Sequence, residues 1–422
     1  MIAHKGATLA VISTMHILFI HQNFPGQFKH LAPALARRGH TVRALSVKEQ
    51  VNLPGVAHIR YAINRSPSKN THPWLRDMEA KMVRGEAVFA AALQLKSEGF
   101  EPDAIIAHPG WGESLFVKNV WPNAKLGLYA EFFYGLEGVD VGFDPEIYPT
   151  HQDDACRIQG KNINNLMHFE QADAALSPTH WQASTFPETF RQRITVAHDG
   201  IDTALLAPNP NAFALINKSL KIQAGDEVIT FVNRNLEPYR GYHIFMRALP
   251  ALLQARPKAR VVIVGADGVS YGAAPPGAKS WKQIFLDAAR PELDMARVHF
   301  VGTLGYQDFV TLLQISMVHV YLTYPFVLSW SLLEAMSVGC AIVASDTAPV
   351  REAIRHDQTG RLVPFFEVEG FVRAIVHLIE SPNDRKRLGE AARAFATKNY
   401  DLNAVCLPQQ LAWAENLAKH SL

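Results

Sequence analysis

VITFVNRNLEPYRG, residues 228–241, reads as a buried strand from Val228 to Asn233 that breaks into a polar loop before a helix resumes near Tyr242. Five consecutive apolar or β-branched residues suit a strand covered on both faces, the habit of parallel sheets wrapped by helices. The pattern repeats outward in both directions. RVVIVG (260–265), VHFVG (298–302), VHVYLT (318–323) and AIVAS (341–345) follow it; MHILFI (15–20), TVRALS (41–46), AIIA (104–107), LGLYA (126–130), AALS and ITVA (194–197) precede it. Helical patterns fall between these runs, as at Phe28 to Arg38 and Trp74 to Leu95. The expected fold is α/β: two doubly wound, Rossmann-like domains facing a cleft.

A chain of 422 residues is too long for one ordinary core, so two domains of roughly 200 residues each are expected. The break falls near HDGIDT (198–203), a Gly- and Asp-rich loop followed by a polar, proline-bearing stretch through Asn211. The division is then an N-terminal extension (1–14), a first domain (15–200), a second domain (201–401), and an amphipathic helical end (402–422) that packs back on the first domain. The loop from Gly265 to Lys279 has no regular pattern and reads as a plain surface loop in preference to a mobile flap.

Net charge is +2, without the basic bias of a nucleic-acid binder. Cys156, Cys340 and Cys406 lack metal-ligand spacing and suggest no disulfide framework, which fits a reducing cytoplasm. Ala7 to Ile20 has Lys5 before it but no small-residue cleavage site after it, so it reads as an extension leading into the first strand. No run reaches the ~18 apolar residues of a membrane span.

Arg234 and Arg240 stand just past a strand's carboxyl end, where ligands bind in open α/β sheets. Guanidinium groups there suit phosphate, which they grip with parallel hydrogen bonds. The plain alternative is a surface arginine bridging to Glu237. Downstream, LTYPFVLSWSLLEAMSVG (322–339) reads as strand end, loop and a helix from Ser329 to Gly339. The amides of Trp330 and Ser331 at that helix start suit phosphate oxygens, and Glu334, a turn inside, suits a diol.

In the first domain, HQNFPGQF (21–28) places Gly26 where backbone can approach a ligand. Lys29, Arg37 and Arg38 beyond it read as a solvated helix face. AHPGWGESL and AEFFYGLEG set His108, Glu113, Glu131 and Tyr134 near two further strand ends as acceptor or sugar contacts. His151, Asp153 and Asp154 offer metal-ligand chemistry, but they read better as a helix start where acids favour the dipole.

Taken as a set, Arg234 with Arg240–Gly241, then Glu334–Ala335–Met336, AIVASDTAPVREAIRHDQTGRLVP (341–364) and HDGID (198–202) resemble the retaining family 4 glycosyltransferases, which have the GT-B fold. The likeness spans most of 194–400, while RRGHTV (37–42) and HQNFPGQF carry it more loosely into the first half. It implies a nucleoside-diphosphate-sugar donor held by Arg234, Arg240, Gly26, Gly241 and the amides after Ser329. Glu334 would take the ribose, and Val301, Gly302 and Thr303 would flank the base. Arg234, Arg240 and Glu334 would carry catalysis with no cofactor and no metal. Three departures stand out. The first glutamate of the family's pair falls at Phe326, the usual lysine is Arg240, and Glu131 or Phe132 stands near the place of the family's first-domain histidine, with His108 as its alternative.

The acceptor implied is a glycan, lipid-linked or protein hydroxyl, with no nucleic acid involved. A cytoplasmic enzyme, peripherally associated with the inner membrane face when its acceptor is lipid-linked, is the expectation. The alternatives are a catalytically impaired nucleotide-sugar-binding partner, for which Phe326 argues, and a non-hydrolysing sugar-nucleotide epimerase of the same fold.

Overall fold

The computed structural model describes residues 14–216 and 220–419. Residues 1–13 of the expected extension, and the final residues of the terminal segment, lie outside that range. The first domain is built on seven parallel strands: β1 (His16–Ile20), β2 (Thr41–Ser46), β3 (Val56–Arg60), β4 (Ala104–Ala107), β5 (Lys125–Tyr129), β6 (Ala174–Ser177) and β7 (Ile194–Val196). They lie in the order β3-β2-β1-β4-β5-β6-β7. A short antiparallel hairpin, β8 (Phe213–Ile216) and β9 (Leu220–Gln223), precedes the second sheet. That sheet contains β10 (Val228–Asn235), β11 (Arg260–Ala266), β12 (Val298–Gly302), β13 (Val318–Tyr321), β14 (Ile342–Ser345) and β15 (Arg361–Val363), ordered β12-β11-β10-β13-β14-β15.

Alternate residues of the first sheet enter different cores. Ile17, Phe19, Val42 and Ile106 join one buried cluster, while Leu18, Ile20, Leu45 and Ile105 join the other with Val88 and Ala92 of the helix Arg76–Ser97. Both faces are therefore sealed, which is why the strands read as continuous apolar runs. The last helix, Leu407–Lys419, inserts Leu411, Trp413 and Leu417 into the first domain's core, and Glu415 pairs with Arg38 at 2.7 Å.

Each sheet has one point where the strand order reverses, between β1 and β4 in the first and between β10 and β13 in the second. Side chains beyond the carboxyl ends at such points face a crevice. His21 and His108 follow β1 and β4, whereas the loops carrying Arg240 and Ser329 follow β10 and β13. The topology thus sets two chemical neighbourhoods at the facing edges of the domains.

The domains also touch directly. Glu352 accepts hydrogen bonds from the amides of His180 and Trp181, each at 2.8 Å. A segment of the first half crosses to the second, where Asp140 accepts from Tyr239 at 2.7 Å and Asp144 lies 2.9 Å from His243. Glu146 pairs with Arg247 beside them. Among the described residues, no helix is long and apolar enough to cross a membrane.

Candidate active site

A cleft of about 440 Å³ gathers Arg234, Arg240, Thr303, Ser329, Trp330, Ser331 and Glu334 along one wall, with Lys29 of the first domain opposite. The two arginines differ in kind. Arg234 is exposed and free of ion pairs among the described residues. Arg240 is buried, and its guanidinium donates to Thr323 Oγ1 at 2.7 Å and to the Val327 carbonyl at 3.1 Å. The Tyr271 ring covers it, 4.8 Å away. A cation anchored in this way has little rotamer freedom left to lose when it meets an anion.

Among the described residues, no arginine bridges to Glu237, contrary to the plain alternative. That carboxylate is fully buried and accepts from the amides of Ser270 at 3.0 Å, Tyr271 at 3.3 Å and Gly272 at 3.4 Å. Asn235 adds a bond to Ser270 Oγ at 2.7 Å. The loop after β11 is exposed along most of its length, as a surface loop is, but its Ser270–Gly272 part is stapled beside the cleft. Its lack of periodicity reflects pinning by side chains distant in sequence.

The helix Trp330–Val338 begins at the cleft with Ser329 as its N-cap. Ser329 Oγ accepts from the Ser331 amide at 3.3 Å, so this cap, not a ligand, satisfies one of the two amides expected to meet phosphate. Glu334 lies a turn further on and accepts from the Tyr306 hydroxyl at 2.9 Å. Burial pushes the Glu334 carboxyl up, and that hydroxyl partly offsets the rise.

Several candidate glycines serve packing. A Cβ on Gly241, whose φ is +68°, would strike Leu322, and one on Gly26 would strike the His21 ring. Neither lines the cleft, and nor do Val301 and Gly302; Val301 packs instead against a core cluster. Lys29, read from sequence as part of a solvated face, does line the cleft, with its ammonium 5.3 Å above the Trp330 ring.

Beyond the carboxyl ends of β1 and β4 in the first domain lies a polar group that the sequence indicated only in part. His108 Nε2 sits 3.4 Å from Glu131 Oε2, Gln27 donates to Glu131 Oε1 at 3.3 Å, and His21 Nε2 meets Gln27 Oε1 at 2.8 Å. Burial, with His108 beside it, pulls the His21 imidazole down to about 3, so it is neutral and its Nε2–H is the donor to Gln27. For Glu131, burial acts to raise the carboxyl, yet contact with His108 leaves it below its ordinary value. A carboxylate stays ionised there beside an imidazole. Glu113 does not join this group, because it is fully buried and accepts from the Tyr61 hydroxyl at 2.9 Å. Tyr134 lies further along, against Lys161. Asp154 starts its helix and binds Arg157 at 2.8 Å.

His21, Gln27, Tyr271, Tyr306 and Asp199 were not singled out from sequence. His21 had a signal, since it directly follows the first strand. Tyr306 had none, because its partner is 28 residues away on another helix.

Two wound sheets, with an anchored and an exposed arginine beyond the reversal point of one and a carboxylate–imidazole group beyond that of the other, have the GT-B architecture of glycosyltransferases. Residues 38–206 match the glycosyl transferase family 4 group and residues 213–395 match glycosyl transferases group 1. Glycogen synthase of Mycobacterium tuberculosis is 24% identical over 400 residues, covering 89% of this chain and 87% of its own. D-inositol 3-phosphate glycosyltransferase of Corynebacterium aurimucosum is 25% identical over 267 residues, 62% of this chain and 59% of its own. Among solved structures, sucrose-phosphate synthase of Thermosynechococcus elongatus shares the fold with a TM-score of 0.70 at 16% identity, covering 96% of this chain and all of that one (100%). An Anabaena protein crystallised with UDP and glucose does so with a TM-score of 0.64 at 17% identity, covering 96% and 100% of the two chains. The chain belongs to the family 4 type of GT-B glycosyltransferases.

Proposed function

We propose that the protein moves a sugar from a nucleoside diphosphate to a hydroxyl of a glycan, lipid-linked or protein acceptor, with retention of anomeric configuration. The observation that carries this reading is the convergence of Arg234, Arg240 and Glu334 on one cleft between the domains. Arg240, immobilised by Thr323 and Val327, and the unpaired Arg234 supply the charge that a departing diphosphate needs. In this reading the arginines do the work that a divalent cation could otherwise do. Glu334, steadied by Tyr306, accepts the ribose diol, and Thr303 lies near the base. UDP is the first nucleotide to test, because the Anabaena fold relative was crystallised with it.

The acceptor hydroxyl approaches from the His108–Glu131 side, and the leaving phosphate oxygen takes its proton on the same face. Phe326, where the family places a carboxylate, supports a second reading: a binding partner without turnover. The test is proton NMR of the sugar released or transferred from α-linked donors, including UDP-glucose. An initial α product is expected. An initial β product overturns retention, and nucleotide binding without transfer or hydrolysis across the donors favours the second reading.

A further inference from the structure

Behind Tyr271, on the side away from the donor cleft, a second cavity of about 320 Å³ opens between the domains. Tyr134, Tyr148, Asp140 and Lys161 line it from the first domain, and Tyr239 and Tyr271 from the second. Small-molecule sites run from about 300 Å³ upward, so this space suits one ring and not a chain of them. Tyrosines give a ring apolar faces to lie against while keeping hydroxyls at the rim.

Lys161 is the group that asks for a ligand. Its Nζ lies 3.6 Å from the Tyr134 ring centroid, and the half-buried ammonium forms no hydrogen bond or ion pair among the described residues. Its three N–H donors are open at the cavity wall and so available to oxygens of a ligand, and beside them Asp140 Oδ1 is buried without a hydrogen-bond partner among the described residues. Burial pulls this ammonium's pKa down and nearby Asp140 opposes the fall, so its charge already has a counterpart. Asp140 in turn is fixed by the Tyr239 hydroxyl at 2.7 Å. The neighbouring Arg157 is taken by Asp154 at 2.8 Å. Two cations against two carboxylates leave no surplus positive charge for a phosphate. What fits is an uncharged ring with hydroxyls for Lys161 and C–H faces for the tyrosines.

We propose that this cavity is a saccharide subsite holding one uncharged sugar unit of the acceptor. It rests on the transferase reading of the neighbouring cleft, with which it shares Tyr271.

The experiment is saturation-transfer NMR on the full chain with methyl glycosides of glucose, galactose, mannose, fucose and N-acetylglucosamine, and with glucose 6-phosphate and mannose 6-phosphate. Calorimetry with UDP, GDP and dTDP runs alongside. At least one uncharged glycoside should bind, and Lys161→Met should weaken it by roughly tenfold or more. Lys161→Gln takes its place if the Met variant fails to fold, with a smaller loss in the same direction. Binding untouched by both substitutions, binding confined to the sugar phosphates, or nucleotide binding with no glycoside bound overturns the subsite. Glycoside binding that depends on Lys161, without any nucleoside diphosphate bound, keeps the subsite and overturns the donor reading. The two failures are therefore distinguishable.

Discussion

Trp330 donates its indole N–H to Asp199 Oδ2 across 2.8 Å, joining the first turn of the cleft helix to the linker between the domains. The Tyr129 hydroxyl donates to the same carboxylate at 3.0 Å. Three parts of the molecule therefore share one buried acid: the end of β5, the linker and the helix that lines the cleft. Burial raises this carboxyl from 3.8 to about 7. An acid whose folded value lies above its unfolded one favours folding while protonated. That contribution is fully present below the unfolded value and is lost as pH rises toward the folded value.

The first prediction follows from this sign. Asp199→Asn keeps an oxygen for Trp330 and removes the titration. The difference in melting temperature between wild type and variant should change across pH 3.8 to about 7, with wild type losing ground as pH rises, and level off above that range. Thermal melts in a buffer series check it, and a pH-independent difference refutes the assignment.

A second prediction separates the arginines. Arg234→Ala should weaken nucleoside diphosphate binding by about tenfold or more while leaving the melting temperature nearly unchanged, since the side chain is exposed and unpaired. Arg240→Ala should lose comparable affinity and also melt several degrees lower, because Thr323 and the Val327 carbonyl lose a buried donor. Calorimetry and melts on the same preparations decide it. An unchanged melting temperature for Arg240→Ala would remove its structural role.

Glu334 offers a test of ribose recognition. A carboxylate placed for a diol should discriminate against a 2′,3′-dideoxynucleoside diphosphate by about tenfold or more. In Glu334→Ala that discrimination should vanish, and in Tyr306→Phe it should shrink, because the 2.9 Å hydrogen bond that orients the carboxylate is gone. Equal discrimination in all three proteins places the ribose elsewhere.

Phe326 should prove structural. It is buried against Phe132 of the first domain at 4.8 Å between ring centroids and against Tyr271 at 5.1 Å. Phe326→Ala should cost about 3–5 kcal/mol, as other buried aromatic truncations do. Denaturant unfolding measures this, and a loss below about 1 kcal/mol would show that the aromatic contact between the domains is unimportant.

Sequence by itself determined the wound α/β architecture, eleven of the parallel strands, and the placement of Arg234, Arg240 and Glu334 beside their elements. Strand burial and helix starts leave signals within a few residues, so periodicity and capping patterns report them. β3 escaped because its pattern is half exposed, the β8–β9 hairpin because its strands are largely exposed and carry no buried run, and β15 because it is three partly buried residues long. Only the tertiary structure decided that Glu237 staples the Tyr271 loop, that Lys29 faces the cleft, and that Glu113 is withdrawn from it. Trp330 and Asp199 lie 131 residues apart, and Tyr239 and Asp140 are separated by 99. Pairs this remote meet only after both sheets have closed, so no local pattern in the chain can encode them.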